Sequence, residues 1–216
     1  MAILNAIASG SFVSKYIDRL IEKLTARMRD PVLADMFGNC LPNTLDTTVR
    51  FSPEGPDTFI ITGDIHAMWL RDSTNQVLPY IPFVKKDEAL DLMLQGLVRR
   101  QTKSVLIDSF ANAFNFDDSK PSQWANDIRV PKMTNAVYEG KYELDSLAAF
   151  LKLSRLYWQH SKNSAVFDKS WQDAVVKVMS TVRAAPCRLG SATMLSIIPT
   201  SFRGTLVKPC VATQSR

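Results

Sequence analysis

The stretch LDSLAAFLKLSRLYWQH, residues 144–160, is apolar on nearly every side. Leu144, Leu147, Ala148, Phe150, Leu151, Leu153, Leu156, Tyr157 and Trp158 leave no broad polar stripe, so the spacing predicts a helix buried between neighbours. The flanking sequence supplies those neighbours. Phe12, Tyr16, Ile17, Leu20, Ile21, Leu24 and Met28 recur at three- and four-residue steps and predict an amphipathic helix that stops near Asp30 and Pro31. A short second helix is expected over VLADMFGNC, residues 32–40, another over LRDSTNQVLPYI before Pro82, and a clear one over 87–100. Phe167, Trp171, Ala174, Val175, Val178, Met179 and Val182 share one face of a last helix over 167–182.

Between the second and third of these, residues 41–64 are rich in Pro, Gly and β-branched types and read as a loop, with a short strand or hairpin near residues 58–62. The expected fold class is therefore all-α, built of stacked helical hairpins with elaborate connections on alternate links, whose loops gather at one end. No internal repeat at a fixed period is present. Residues 1–11 read as an N-terminal extension, 12–184 as the helical domain and 185–216 as a separate basic tail.

With 216 residues, 46% hydrophobic and 22% charged, the chain is large enough for one sizeable core. Its net charge is +5, yet residues 185–216 carry Arg188, Arg203, Lys208 and Arg216 and no acid, which leaves +1 for the rest. Basicity belongs to the tail, and the body shows no basic face with interleaved aromatics, so no nucleic-acid partner is expected. Three cysteines, Cys40, Cys187 and Cys210, are too few and too scattered for a disulfide framework or a metal knuckle. No run approaches the roughly 18 apolar residues of a membrane span, no membrane partner is expected, and no targeting signal gives a compartment.

The densest polar cluster is TGDIHAMWLRDSTNQ, residues 62–76. Asp64 can cap a turn, and Asp72 with Ser73 can cap the helix that follows. The other reading takes Trp69, Arg71, Asp72 and Asn75 as a set. Carboxylates and a guanidinium bond vicinal hydroxyls while an aromatic face covers the apolar side of a sugar ring. Asn112, Asn115 and Trp124 of the long aperiodic stretch 107–140 add hydrogen-bonding and stacking groups, and loops of that length are more often functional than idle.

In KYELDSL, Glu143 and Asp145 open the buried helix. Two residues on a helix are separated by about 200 degrees, so the pair is not expected to share one target. An acidic first turn suits the helix dipole by itself. If the loop end is the active site, Asp145 beside apolar walls would favour the protonated carboxyl that a general acid needs. His66 and His160 have no second histidine at ligand spacing, so no metal is expected, and His160 suits the C-terminal end of its helix. No nucleophile elbow and no glycine-rich phosphate loop occurs, since the eight glycines stand singly.

NTLDTT, TGDIHAMWLRDSTNQVLPY, ANAFN and YELDSL, in this order and spacing, closely resemble glycoside hydrolase family 125, the metal-independent exo-acting α-mannosidases that prefer α-1,6 linkages. The resemblance covers roughly residues 12–182. It implies an (α/α)6 barrel, no cofactor, a mannose-containing glycan as substrate, and an inverting mechanism. In that mechanism one carboxyl protonates the leaving oxygen while a second carboxylate, about 6.5–9.5 Å away, activates water on the opposite face. It makes Asp145 the general acid and lines a pocket for the terminal mannose with Asp64, Trp69, Arg71, Asp72, Asn75, Asn112 and Asn115, to which the loop reading adds Trp124. His66 stands where the family pattern usually has proline. About six helical segments are half of the twelve such a barrel requires, and the family's second half, with its catalytic base, has no counterpart, so a truncated chain is expected. The alternatives are a non-catalytic remnant that binds sugar or another protein, and a basic tail that engages acidic partners.

Overall fold

The computed structural model describes residues 12–185 apart from 120, 126–128, 130 and 131. The extension over 1–11 and all of the expected tail except Ala185 lie outside the described residues. Six α-helices carry the described chain, with short strands between them.

Helix α1 (Lys15–Thr25) starts where the Ser14 hydroxyl accepts the Ile17 N–H at 3.1 Å, and α2 (Pro31–Thr47) starts where Asp30 accepts from Val32 and Leu33 with Pro31 in the first turn. Helix α2 corrects the expected loop, because it runs seven residues beyond Cys40 and through Pro42. Tertiary contact overrides the local breaker here. Leu45 is buried, its carbonyl accepts the Phe12 N–H at 2.9 Å, and the Leu41 carbonyl accepts the Tyr80 hydroxyl.

Strands β1 (Val49–Ser52) and β2 (Asp57–Ile60) form an antiparallel hairpin with Arg50 opposite Phe59. The expected strand near 58–62 is thus present but begins at Asp57. The hairpin lies against α4 (Glu88–Ile107), where the Thr58 hydroxyl donates to the Met93 carbonyl at 2.7 Å. The contact is close because position 96 is glycine: a Cβ there would stand 2.9 Å from the Asp57 backbone and 2.5 Å from the Thr58 oxygen. Arg100, 9% exposed, closes the other end, pairing with Asp57 and lying 5.5 Å from the Phe59 ring centre and 5.3 Å from that of Phe116.

Strand β3 (Met68–Trp69) leads directly into α3 (Leu70–Val77) and forms a second sheet in the order β3-β4-β5 with β4 (Ala113–Phe114) and β5 (Val137–Glu139). A 3-10 turn (Ile81–Lys86) connects α3 to α4, and α5 (Leu144–Ser161) and α6 (Lys169–Ala184) follow β5. The buried character expected of 144–160 is met: Leu147, Phe150, Leu153 and Tyr157 are all 1% exposed or less. Polar ties align the helices. Arg71 meets Asp145, Thr74 meets Ala149 and Asn75 meets Lys152, an ascending series that makes α3 and α5 parallel. Lys177 to Leu106 and Thr181 to Ser109 do the same for α6 and the end of α4. The starts of α3 and α5 and the end of α4 therefore meet beside the three-stranded sheet.

Candidate functional site

Helix α3 begins without a side-chain cap. Its first N–H, from Leu70, donates instead to the Asn112 carbonyl at 3.1 Å, so the neighbouring strand fixes where the helix starts. Asp72 and Ser73 are therefore not its caps: Asp72 sits in the first turn, and the Ser73 hydroxyl donates back to the Trp69 carbonyl at 2.7 Å. Gln101 of α4 holds this turn from below, its amide nitrogen donating to the Leu70 carbonyl, Ser73 Oγ and Thr74 Oγ1 at 2.9–3.1 Å. That fixed turn points Arg71 at the start of α5.

Arg71 Nη1 reaches Asp145 Oδ2 at 2.8 Å and Glu143 Oε2 at 3.2 Å, while Nη2 lies 3.6 Å from Asp72 Oδ2. One guanidinium thus stands among three carboxylates. The hydrogen bond to Asp145, with the charges of all three acids, raises the Arg71 pKa above its ordinary value. The expectation that Glu143 and Asp145 diverge is corrected, because Glu143 is not on the helix: it occupies the N-cap with extended backbone, φ −133°, and the helical angle does not apply. Ser146 steadies it with a 2.8 Å hydrogen bond to Oε2. The apolar walls expected around Asp145 are also absent, for its side chain is 59% exposed and turned toward Arg71.

The other predicted residues divide between a second group and scattered positions. Trp69 packs edge-on against Tyr138, ring centres 5.4 Å apart, and its indole lies beside the Glu139 carboxylate. Asn112, 1% exposed, gives its amide to Glu139 Oε2 at 2.7 Å, and its Oδ1 is buried with no hydrogen-bond partner among the described residues. Trp124, 39% exposed, lies under Lys141, whose Nζ is 5.6 Å from the ring centre and 2.6 Å from Glu139 Oε1. Burial pushes the Glu139 pKa up, but hydrogen bonds from Lys141, Asn112 and Trp69 more than offset it and leave the carboxyl below its ordinary value.

Asn115 is used structurally, donating to the Asn135 carbonyl at 2.7 Å, and Asn75 accepts from Lys152 at 3.3 Å further along α3. Asp64 is exposed, 3.5 Å from the Thr62 hydroxyl, just after Gly63, whose φ of +124° only glycine adopts readily. The structure thus brings Arg71, Asp72 and Asp145 into one ion-pair cluster, ties Trp69, Asn112 and Trp124 through a second, and does not join Asp64, Asn75 or Asn115 to either. Sequence reasoning passed over Glu139 and set Glu143 aside. VYE, residues 137–139, is too short for strand alternation to single out Glu139.

Among the described residues no group of three or more His, Cys, Asp or Glu is arranged to hold a metal ion, and no helix is long and apolar enough to cross a membrane. Chemically, the Arg71 cluster offers charge-assisted bonds to vicinal hydroxyls and a solvent-facing carboxyl in Asp145. The Trp69 group adds an aromatic ring and amide.

The model of the metal-independent α-mannosidase family GH125 matches residues 30–193. The meiotically up-regulated gene 157 protein of Schizosaccharomyces pombe is 38% identical over 185 residues, covering 82% of this chain and 36% of that protein. A solved structure from Streptococcus pneumoniae, presented as a metal-independent α-mannosidase in a non-productive substrate complex with α-1,6-mannobiose, is 34% identical with a TM-score of 0.71. The match takes in 79% of this chain and 41% of that one. The chain thus spans well under half the length of the relatives it matches.

Proposed function

The chain belongs to glycoside hydrolase family 125, and on that premise we propose that it carries the acid-bearing half of an exo-acting α-mannosidase site. The substrate is a glycan ending in α-linked mannose, with α-1,6 the preferred linkage. That choice is supported by the mannobiose held by the Streptococcus pneumoniae relative. The six helices are the first half of an (α/α)6 barrel; the parallel run of α3 and α5, with α4 and α6 beside them, favours this reading. Residues 12–184 make up the described body of that half, and the family match runs on to residue 193.

The observation that carries the reading is the meeting of Arg71 and Asp145 where α3 and α5 both begin. Arg71 and Asp72 hold hydroxyls of the terminal mannose, with Trp69, Asn112 and Trp124 beside them. Asp145, once protonated, gives its proton to the glycosidic oxygen, and the base that activates water from the opposite face is supplied by sequence corresponding to the rest of the relatives' length. Asp64, Asn75 and Asn115 contribute only if a bound sugar draws their loops and helix face inward.

The test is hydrolysis of α-1,6-mannobiose, followed by NMR so that the first-formed anomer is seen. The expected product is β-mannose, the first-formed anomer of an inverting hydrolysis. Asp145→Asn should abolish that activity without changing the circular dichroism. An Asp145→Asn protein as active as its parent would remove Asp145 from the role. A second reading is sugar binding without hydrolysis, for which the exposed Arg71 cluster suffices by itself. Saturable mannobiose binding with no turnover would select it.

A further inference from the structure

One carboxylate ties together three predicted sugar-holding residues from separate segments. Trp69, Ala113 and Glu139 stand opposite one another across β3, β4 and β5. Side chains in such a row leave the sheet on the same face, with neighbouring strands about 4.8 Å apart. Ala113 in the middle is fully buried and short, which leaves room for the indole and the carboxylate to meet over it. The Asn112 amide joins from the position just before β4, and the Asn112 backbone N–H also donates to the Glu139 carbonyl at 3.2 Å. Lys141 completes the set and carries the link on to Trp124.

A carboxylate that is only 12% exposed is costly to keep charged unless donors meet it. Here they come from three predicted or adjacent site segments, so the geometry that stabilises Glu139 also fixes them. An indole ring turns about two torsions, and a carboxylate set beside it across Ala113 favours the orientation that turns its N–H toward the charge. The Asn112 amide is fixed in the same way, since giving Nδ2 to Glu139 turns Oδ1 to the other side.

We propose that Glu139 is a positioning residue of the sugar site, its carboxylate setting the Trp69 ring and the Asn112 amide; this rests on the sugar-binding reading above. Glu139 touches no reacting atom. Its role is to hold the stacking surface and the buried amide in place before a sugar arrives, which spares the ligand the ordering cost.

The experiment uses the whole 216-residue chain, labelled with nitrogen-15, and follows the Trp69 indole signal, identified by its loss in Trp69→Phe. In Glu139→Gln that signal should move upfield, because the charge beside the indole N–H is removed, and affinity for α-1,6-mannobiose should fall about tenfold, with a melting temperature lowered by the lost carboxylate contacts. Lys141→Gln keeps the carboxylate and should leave the signal in place. If Glu139→Gln does not fold, acid titration of the unmodified protein serves: the Trp69 signal should move as Glu139 takes a proton. A Trp69 signal indifferent to both the substitution and the titration overturns the proposal, as does mannobiose affinity unchanged in a folded Glu139→Gln protein. Absence of mannobiose binding by the unmodified protein would instead defeat the sugar reading, and the indole signal would still decide whether Glu139 sets the ring.

Discussion

Replacing Gly96 by alanine should destabilise the protein even though alanine is the better helix former. In an open helix the change gains about 1 kcal/mol. At position 96 the new Cβ would lie 2.9 Å from the Asp57 backbone carbon and nitrogen and 2.5 Å from Thr58 Oγ1. Two of those three atoms are main chain, so rotating a side chain does not relieve the clash and the hairpin must move away from α4. Overpacking of this kind costs about 1–3 kcal/mol, and loss of the Thr58 to Met93 hydrogen bond adds about 1. The net is a destabilisation of about 2 kcal/mol, or about 4–8 °C in melting temperature for a body of this size. Gly38, inside α2, is the matched control, since its Cβ would meet only the Thr25 and Ile21 methyl carbons of α1 at 3.7 and 3.9 Å. Gly38→Ala should therefore raise the melting temperature, by about 2–4 °C. Differential scanning calorimetry of both variants decides the matter: if Gly96→Ala melts at or above the unmodified protein, close approach is not what position 96 serves.

Two further outcomes follow from named groups. Burial pushes the Asp87 carboxyl up, but the Ser14 hydroxyl and the N–H groups of Tyr16, Leu90 and Ala89 outweigh it and hold its pKa below the usual 3.8, while Glu139 lies below its usual 4.5. A depressed carboxyl contributes stability that is complete above its unfolded pKa and lost as pH falls through the folded one, so urea midpoints should stay level from pH 7 to about 5 and drop below about 4.5. Asp87→Asn should narrow its stability gap to the unmodified protein across that same acid range, and a constant gap would contradict the linkage. Tyr157 is held protonated, first by burial and then by donating to Asp91 Oδ1 at 2.7 Å. Tyr157→Phe should cost about 1.5 kcal/mol, read as a melting temperature about 3–6 °C lower, and no change would mean that Asp91 is satisfied by Gln95 alone.

The helices were legible because burial period and helix period coincide: Leu147, Phe150, Leu151 and Tyr157 fall where a buried helix needs them. Residues 41–47 were not, since Pro42 and Asn43 speak locally for a loop while Leu45 and the Phe12 bond act from outside the segment. Local signals carry no trace of such distant partners.

At the site the same division holds with one more step. Arg71 and Asp145 were readable as chemistry-bearing types, and their meeting depends on two helices starting side by side. Glu143 was misplaced because an angle that holds within a helix was applied across its first boundary, and a residue at the N-cap turns freely of that angle. Glu139 went unseen for the opposite reason: strands of two and three residues leave too few positions for alternation to register. Yet a short strand is what lets one carboxylate gather Trp69, Asn112 and Lys141 from three segments, since each segment contributes a single side chain and turns away. A sugar site placed in this aperiodic part of the chain would be set by hydrogen bonds that only the folded chain brings together.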